Sequence, residues 1–554
     1  MIFRRTEMGA LVTATPLGDS VDGNEPLVEV RKTGAAATAF PLATEAALSI
    51  LRDGGNAVDA AVAAAWTLSV CEPSASGIGG QTTLLFYRSN GSAIVVDGHS
   101  YAPAGVSIET VNEREQRVGH RACVIPSTPA TLAYAQRKYG VLSESAVLAP
   151  AIQAAEGGYS ITPLQHRQAR WFSRQTHVCA GISKLFFVDG VPPPVGYLFR
   201  QTSLARTLRR MADEGIEDFY SGAIAAQIVA DMQRHGGLLS ARDLATFSLP
   251  VERQPLEASY RGMKVLSAPA PGGGLNLLMA LALLEQLLPN ASATADDEWL
   301  ETIALATYGA FRQREETALE SAGHPADELP SETDIRQLAE STRKQRSLPA
   351  VNCAEGPGDT THLTVADGEG NVVALTQSIQ SVFGAKVANA ELGFVYNNYL
   401  WTCPRSLHPN QLKAGCMPRS NAAPTIILEE RKGRSTPAMA LGAAGSRRIT
   451  SALLQTISRV IDRGLPIDQA ISAPRVHGLL SGRVWIEDPL ATPELMTRLQ
   501  QRFASVRVKP ALSFAMGCVQ GLQWFADGTI MAAADPRRDG TVEVLVRNNG
   551  MEIA

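Results

Sequence analysis

The sequence predicts an α+β fold, a large core in which sheets are covered by helices. Helix-patterned segments dominate the first part of the chain, and strand-patterned segments dominate from Thr360 onward. Size adds a third constraint: 554 residues exceed the usual single-domain range, so the chain either divides into several domains or builds one multi-layered core.

Residues 1–30 are polar and irregular and are expected to lie outside the core. AATAFPLATEAALSIL, Ala36 to Leu51, reads as a helix rich in Ala and Leu, stopped by RDGGN. Ala57 to Val70 is apolar all round, a pattern that requires burial between layers. After the loop EPSASGIGGQ, Thr82 to Tyr87 and Ser92 to Asp97 read as strands joined by the turn RSNG. Helical spacing returns at Leu132 to Tyr139, Ala146 to Glu156, Leu204 to Glu214 and Ile224 to His235. Ser292 to Val351 carries DDEW, RQREE and STRKQRS, which predicts an exposed helix pair and connecting linker. The linker, about 340–359, ends in AEGPGD, whose Gly and Pro make an accessible connection. From Thr360 the segments THLTVA, VVALTQSI, GFVYNN, APTIIL, AMALGA, GRVWIE, GLQWFA, TIMAAAD and EVLVRN read as strands. One strong helix, Ile449 to Asp462, interrupts them.

Composition narrows the function. A chain that is 45% hydrophobic and 19% charged is globular, not disordered. Its 50 basic and 54 acidic residues form no long like-charge block, so nucleic acid and anionic membrane are disfavoured and a small-molecule partner is expected. The seven cysteines are scattered and lack CxxC spacing, which suggests neither a disulfide framework nor a zinc site and fits a reducing compartment. No run reaches the roughly 18–20 apolar residues of a membrane span, and the N-terminus lacks the apolar core of a secretory signal. A cytoplasmic, soluble protein is the expectation. SGIGGQ is not followed by GK[ST], which argues against a phosphate loop.

The chemistry concentrates in GPGDTTHLTVADGEGNVVALTQSIQSVFGAK, Gly356 to Lys386, where a Gly-Pro-Gly-Asp segment runs straight into two threonines that begin a strand. A threonine hydroxyl needs a base beside it, and a free α-amine on the same residue, with a pKa of about 7.7–8.0, can be that base. The amine exists only if the chain is cut between Asp359 and Thr360. On the second strand Thr376, Ser378 and Gln380 alternate and share one face. A five-residue loop, Asp367 to Asn371, sets Ser378 opposite Thr360; a four-residue loop sets Gln377 there. His362 is expected to pack in the interior.

GDTTHLTVADGEGNVVALTQSI resembles the threonine motif of the gamma-glutamyltransferases. RDGGNAVDAAVAAAWTLSVCEPSASGIGG, EDFYSG, GGLLSARDLA and PAPGGG resemble further segments of that family in family order, so that roughly residues 35 to 545 are covered. The resemblance implies an N-terminal-nucleophile hydrolase, an αββα sandwich of two stacked, mainly antiparallel sheets flanked by helices. It implies one chain that cleaves itself into a large subunit, 31–359 behind the N-terminal segment, and a small subunit, 360–554, which together form one intertwined core. Thr360 would be nucleophile and, through its α-amine, base. Ser378 would orient it, since the family carries a hydroxyl there, which favours the five-residue loop. Ala444 and Gly445, in LGAAGSRRI, would form the oxyanion hole from backbone NH groups, and Ser420 and Asn421, in PRSNAAPT, would contact substrate beside Thr376 and Arg419.

By the same resemblance the enzyme would cleave γ-glutamyl amides such as glutathione through an acyl-Thr360, passing the acyl group to water or an amine. It would need no cofactor and no metal, with a dimer of heterodimers as a possible assembly. Three positions depart from the family pattern. His99, in DGHSYAP, stands where an arginine grips the substrate α-carboxylate; Tyr399 and Thr402, in NNYLWT, stand where a glutamine and an acid receive the α-amine. Gln380 replaces an asparagine, a milder change. The departures open an alternative, action on an oxamate-like or cephalosporin-like acyl amide with Arg419, Arg447 or Arg448 on a carboxylate. An unprocessed, non-catalytic binding protein is the alternative from another class.

Overall fold

The computed structural model describes residues 10–12, 34–175, 179–247, 250–317, 329–345, 348–349, 358–406, 408–431 and 433–545. In chain order, the strands of its two large sheets begin with β1 (Ala10–Val12), β2 (Gly34–Thr38), β3 (Gln81–Tyr87), β4 (Ala93–Asp97) and β5 (Val251–Arg253). β6 (Leu256–Tyr260), β7 (Met263–Ser267), β8 (Gly358–Asp367), β9 (Val372–Ser381) and β10 (Thr425–Arg431) follow. β11 (Arg434–Ala444), β12 (Cys518–Trp524), β13 (Ile530–Ala534) and β14 (Thr541–Leu545) complete the set. One sheet runs β1-β13-β12-β11-β10-β7-β6 and the other β14-β2-β8-β9-β3-β4-β5. Every pairing within them is antiparallel.

Period-2 alternation sorts the strand residues into layers. On β8 and β9, Leu363, Val365, Val373 and Leu375 pack beneath the helices Pro41–Arg52 and Ala57–Cys71. Ile427, Met439 and Leu441 pack against the helices Gly274–Leu287, Asp296–Thr317 and Arg448–Ile461 on the far side. The intervening residues meet between the sheets, where Ala35, Ala37, Ala366, Ala374, Ala440 and Ala532 pack with larger side chains such as Leu85, Tyr87, Leu266 and Leu522. The architecture is therefore helix, sheet, sheet, helix, an αββα sandwich. The sheets share strands from both sides of the Asp359–Thr360 bond: β8 lies between β2 and β9, and β9 between β8 and β3.

The layer between the sheets also holds His362. One ring nitrogen lies 2.8 Å from Thr376 Oγ1 and the other 3.0 Å from Thr364 Oγ1. Burial lowers its pKa to about 3, so the ring is neutral and spends both nitrogens on interior hydroxyls. Gly442 of β11 faces it: a Cβ there would fall 2.2–2.6 Å from three ring atoms.

Several elements differ from the sequence reading. Ala36 to Leu51 is two elements, β2 and a helix beginning at Pro41, because proline suits the first helical turn and Ala35 and Ala37 are small enough to lie between sheets. All fifteen residues of Ala57–Cys71 are buried, as an apolar helix requires. The helix Asp296–Thr317 is not exposed: Trp299, Ile303, Leu305, Tyr308 and Phe311 are buried. Its charges gather at the ends, which made the segment read as surface. The helices Ile467–Ser472 and Pro493–Arg502 join Arg448–Ile461 in the strand-rich part, and GFVYNN forms only the two-residue strand Phe394–Val395. Of the N-terminal 30 residues only Ala10–Val12 are described, an edge strand on β13. Of the linker, Glu332–Lys344 ends a helix and Gly358 opens β8, while 346–347 and 350–357 lie outside the described residues, as does the end of EVLVRN. No described helix is long and apolar enough to cross a membrane.

Gly442→Ala tests the tight contact between the sheets. Overpacking of this kind costs about 1–3 kcal/mol, so the urea midpoint of unfolding should fall; an unchanged midpoint would mean that His362 can move aside freely.

Candidate active site

β8 carries Asp359 and Thr360 into the core, 0% and 5% exposed. Ala366 pairs with Val372, so the turn is the five-residue one, Asp367 to Asn371. Further along, Thr361 pairs with Gln377 but Asp359 pairs with Gln380, so Thr360 faces two residues, Ser378 and Ile379, across a β-bulge. Thr360 Oγ1 lies 2.7 Å from the Asp359 carbonyl oxygen and 3.1 Å from Ser378 Oγ. Ser378 Oγ donates to the same carbonyl at 2.8 Å and accepts the Gln380 backbone NH at 2.8 Å. Two hydroxyls thus converge on one peptide carbonyl.

The Asp359 carboxylate accepts the Thr360 backbone NH at 2.9 Å and a hydrogen bond from Arg538. Arg538 also reaches Glu72 Oε1 at 3.3 Å and lies 4.7 Å from the centre of the Phe514 ring. Burial raises the Asp359 carboxyl despite the opposing pull of Arg538. Burial likewise raises Glu72 from its ordinary 4.5 to about 7, again against Arg538, with Asp359 and Asp539 adding to the rise. Burial would lower the Arg538 guanidinium, but Asp359 and Glu72 outweigh it and hold the group charged.

The cleft beside this bond is lined by Thr360, Ser378, Gln380, Tyr399, Thr402, Arg419, Ser420 and Asn421, together with Ala422, Ser446 and Ile449. It therefore gathers eight of the residues named from the sequence. Gln380 reaches it from a left-handed backbone, φ 82°. Burial raises the Tyr399 phenol, opposed by hydrogen bonding with Ser378, Gln81 and Ser420. Ala444 ends β11, Gly445 and Ser446 turn with φ 124° and 57°, and the helix Arg448–Ile461 follows. The turn presses on the strand: a Cβ on Gly358 would lie 2.4 Å from Ser446 Cβ. Arg448 donates to the Gly358 carbonyl at 3.3 Å.

Two residues named for substrate contact sit elsewhere. Thr376 is between the sheets on His362, because alternation from Ser378 carries it inward past the bulge. His99 is 4% exposed, its Nδ1 2.5 Å from Asp97 Oδ1, while Asp97 Oδ2 accepts Arg253 at 3.0 Å. Burial would raise Asp97, but His99 and Arg253 bring it down to about 2. Sequence reasoning missed Glu72, Arg538 and Ser446, and also two residues at the end of the helix Asp296–Thr317. Of these, Glu315 bridges Arg419 at 3.1 Å and Arg447 at 3.0 Å, and Arg314 donates to the Asn421 side chain and the Ser420 carbonyl, both at 3.0 Å. Burial would raise Glu315, yet Arg419 and Arg447 hold it below its ordinary value. The signal for them was the apolar run WLETIALATYGAF, which forces this helix into the core and its next charged residues into partly buried positions. Among the described residues, the side chains grouped closely enough for a metal ion, His120, Asp231 and His235, do not line the cleft.

Comparison with known proteins agrees with this geometry. Residues 43–545 match the family model described as Gamma-glutamyltranspeptidase. The chain is 29% identical to the glutathione hydrolase proenzyme of Escherichia coli (strain K12), over 91% of this chain and 90% of that one. It is 30% identical to the Acylase ACY 1 proenzyme of Pseudomonas sp. (strain V22), over 96% and 97%. Among solved structures, a cephalosporin acylase from Bacillus halodurans superimposes with a TM-score of 0.80 at 28% identity, covering 96% of this chain and 99% of that chain.

The raised Glu72 carboxyl has a thermodynamic consequence. Because the folded state holds the proton more tightly than the unfolded chain, its contribution to stability is fully present below pH 4.5 and is lost as pH rises toward about 7. In an unprocessed Thr360→Ala background, Glu72→Gln should therefore flatten the fall of the thermal midpoint between these values; parallel pH profiles would show that Glu72 titrates normally.

Proposed function

Because this chain belongs to the gamma-glutamyltranspeptidase family, we propose that it cuts itself before Thr360 and then cleaves γ-glutamyl-type amides through an acyl-Thr360. The observation that carries the reading is the hydroxyl of Thr360 at 2.7 Å from the carbonyl oxygen of the residue before it, with Ser378 donating to that oxygen. In processing, Thr360 Oγ adds to the Asp359 carbonyl carbon and the Asp359–Thr360 C–N bond breaks. The nitrogen takes a proton and becomes a free amine, and the Asp359 acyl group rests on Oγ as an ester. Water hydrolyses the ester, leaving a large subunit that ends at Asp359 and a small subunit that begins at Thr360. Ser378 stabilises the charge that develops on the carbonyl oxygen, and Arg538 holds the Asp359 side chain in place.

In turnover the Thr360 amine, with a pKa of about 7.7–8.0, takes the proton of its own hydroxyl as Oγ attacks the substrate carbonyl. That proton goes to the leaving amine, and water or an acceptor amine resolves the acyl-enzyme. The backbone NH groups of the Ala444–Gly445 turn receive the oxyanion; Ser420 and Asn421 contact the acyl group. The scheme calls for no cofactor or metal, and its partners are the two subunits of one precursor.

A second reading, action on a different acyl amide, is favoured by one observation. His99, engaged with Asp97, does not line the cleft, and Tyr399 and Thr402 give its wall phenol and hydroxyl groups instead of a carboxylate. Arg419, held by Glu315, is the cation on that wall. Two relatives are named acylases, one of them a cephalosporin acylase.

On a denaturing gel the active protein should give two bands, residues 1–359 and 360–554, and Thr360→Ala one. Ser378→Ala should slow processing by about 10²–10³-fold, the usual cost of one oxyanion donor. A chain that stays whole while active would remove the mechanism; one that stays whole and inactive would fit a binding protein. kcat/KM measured on a γ-glutamyl anilide, glutathione, oxamate and a cephalosporin-type acyl amide should be highest for the γ-glutamyl compounds. A higher value on either of the other two would establish the second reading.

A further inference from the structure

We propose that Cys403 and Cys416 are a disulfide-forming pair whose closure staples together two chain segments that line the Thr360 cleft. Their sulfurs lie 3.6 Å apart, in contact, and both residues are buried in a small core with Ala102, Tyr399, Leu400 and Leu412. Each is fixed by its backbone. Cys403 donates its NH to the Leu400 carbonyl at 3.1 Å, and its carbonyl accepts from Gln116 at 3.0 Å. The Cys416 carbonyl accepts the Ala102 NH at 2.9 Å.

Position gives the pair its consequence. The short helix Tyr399–Thr402, two residues of which line the cleft, ends one residue before Cys403. Arg419, Ser420 and Asn421, which also line the cleft, begin three residues after Cys416. The two segments are also linked by a long hydrogen bond, Arg419 Nε to the Thr402 carbonyl at 3.4 Å, and by hydrogen bonding between Tyr399 and Ser420. The two thiols are also chemically unequal. The hydrogen bond between them, ahead of all other effects, lowers Cys416 below the ordinary thiol value and raises Cys403, to which burial adds.

The reaction with a small aliphatic disulfide balances without further reagents. The Cys416 thiolate attacks one sulfur of the reagent, forming a mixed disulfide and releasing one thiolate. Cys403, giving up its proton, then attacks the Cys416 sulfur and releases the second. The two protein thiols are oxidised to one disulfide, and the reagent is reduced to two thiols. The rotation needed is small, since the sulfurs must close from contact to the bonded distance of about 2.05 Å.

The test treats the purified enzyme with hydroxyethyl disulfide, which carries no amide, then alkylates under denaturing conditions and maps the peptides by mass. A dithiothreitol-reversible peptide joining Cys403 to Cys416 is expected, absent from Cys403→Ser and Cys416→Ser. Recovery of both cysteines as alkylated thiols, or as mixed disulfides with the reagent, would overturn the proposal. The effect on the cleft rests on the function proposed above: oxidation should change KM several-fold with kcat within about twofold, and leave both serine variants unmoved. A linked enzyme with unaltered KM would overturn the staple. Because the peptide map reads the bond without any turnover, an inactive protein would count against the proposed function alone. There the oxidised wild type, compared with Cys403→Ser, should still show a higher thermal midpoint, and equal midpoints would overturn the staple.

Discussion

The close approach of the two sheets is the constraint from which the site follows. On β8 the inward row is Ala366, Thr364, His362 and Thr360, and on β11 it is Ala440, Gly442 and, by alternation, Ala444. Alanine and glycine on β11 leave room for the larger His362 on β8. Gly442 is required outright, because the His362 ring fills the space a Cβ would take. Thr360 is the end of this row, where the bulge in β9 and the Gly445–Ser446 turn interrupt regular packing and open the cleft. The proposed nucleophile is therefore held by the register of the whole sandwich and not by a loop of its own, which is the arrangement that keeps a reacting atom within a few tenths of an ångström of its target.

Placing Asp359 at that position carries an electrostatic cost. A buried carboxylate without a partner is strongly unfavourable, and here Asp359 and Glu72 share one guanidinium, that of Arg538. Burial is the main cause, and the guanidinium that Glu72 shares with Asp359 offsets it only in part, so Glu72 is raised to about 7 and holds its proton through mildly acidic conditions. The proposed cleavage adds a third carboxylate, the new C-terminus of Asp359, to the same cluster. Like-charge repulsion then favours its movement toward water, away from the Thr360 amine.

Much of this was legible in the sequence. The helix Ala57–Cys71 announced its burial by lacking a polar face; the strand register was open between Ser378 and Gln377 until the family resemblance favoured Ser378, and the pairing of Ala366 with Val372 agrees with that choice. Alternation failed locally, in both directions, for physical reasons. Ala35–Ala37 has the composition of a helix, yet tertiary context made it a strand, paired on both sides within its sheet and buried against the other. Thr376 shares a face with Ser378, but that face turns from cleft to interior within two residues. The pairing of Glu72 with Arg538 across 466 positions, and of Glu315 with Arg419 across 104, leaves no local trace in a single chain. Such pairs are set by layer stacking and are invisible to periodicity.

This division between local and long-range signals also separates reaction from selection. The groups proposed to act on the bond, Thr360, Ser378 and Ala444 with the turn that follows it, are set by three strands of the sandwich and cannot move without disturbing its core. The groups that border the acyl pocket, Tyr399, Thr402, Arg419, Ser420 and Asn421, lie in the irregular segments between β9 and β10, braced from outside by Arg314 and Glu315. Changing a wall residue alters charge and shape there at little cost to the sheets. A fold built this way can exchange one acyl head group for another while its proposed nucleophile stays in register, and relatives that are a glutathione hydrolase in one case and a cephalosporin acylase in another are what such a separation would produce.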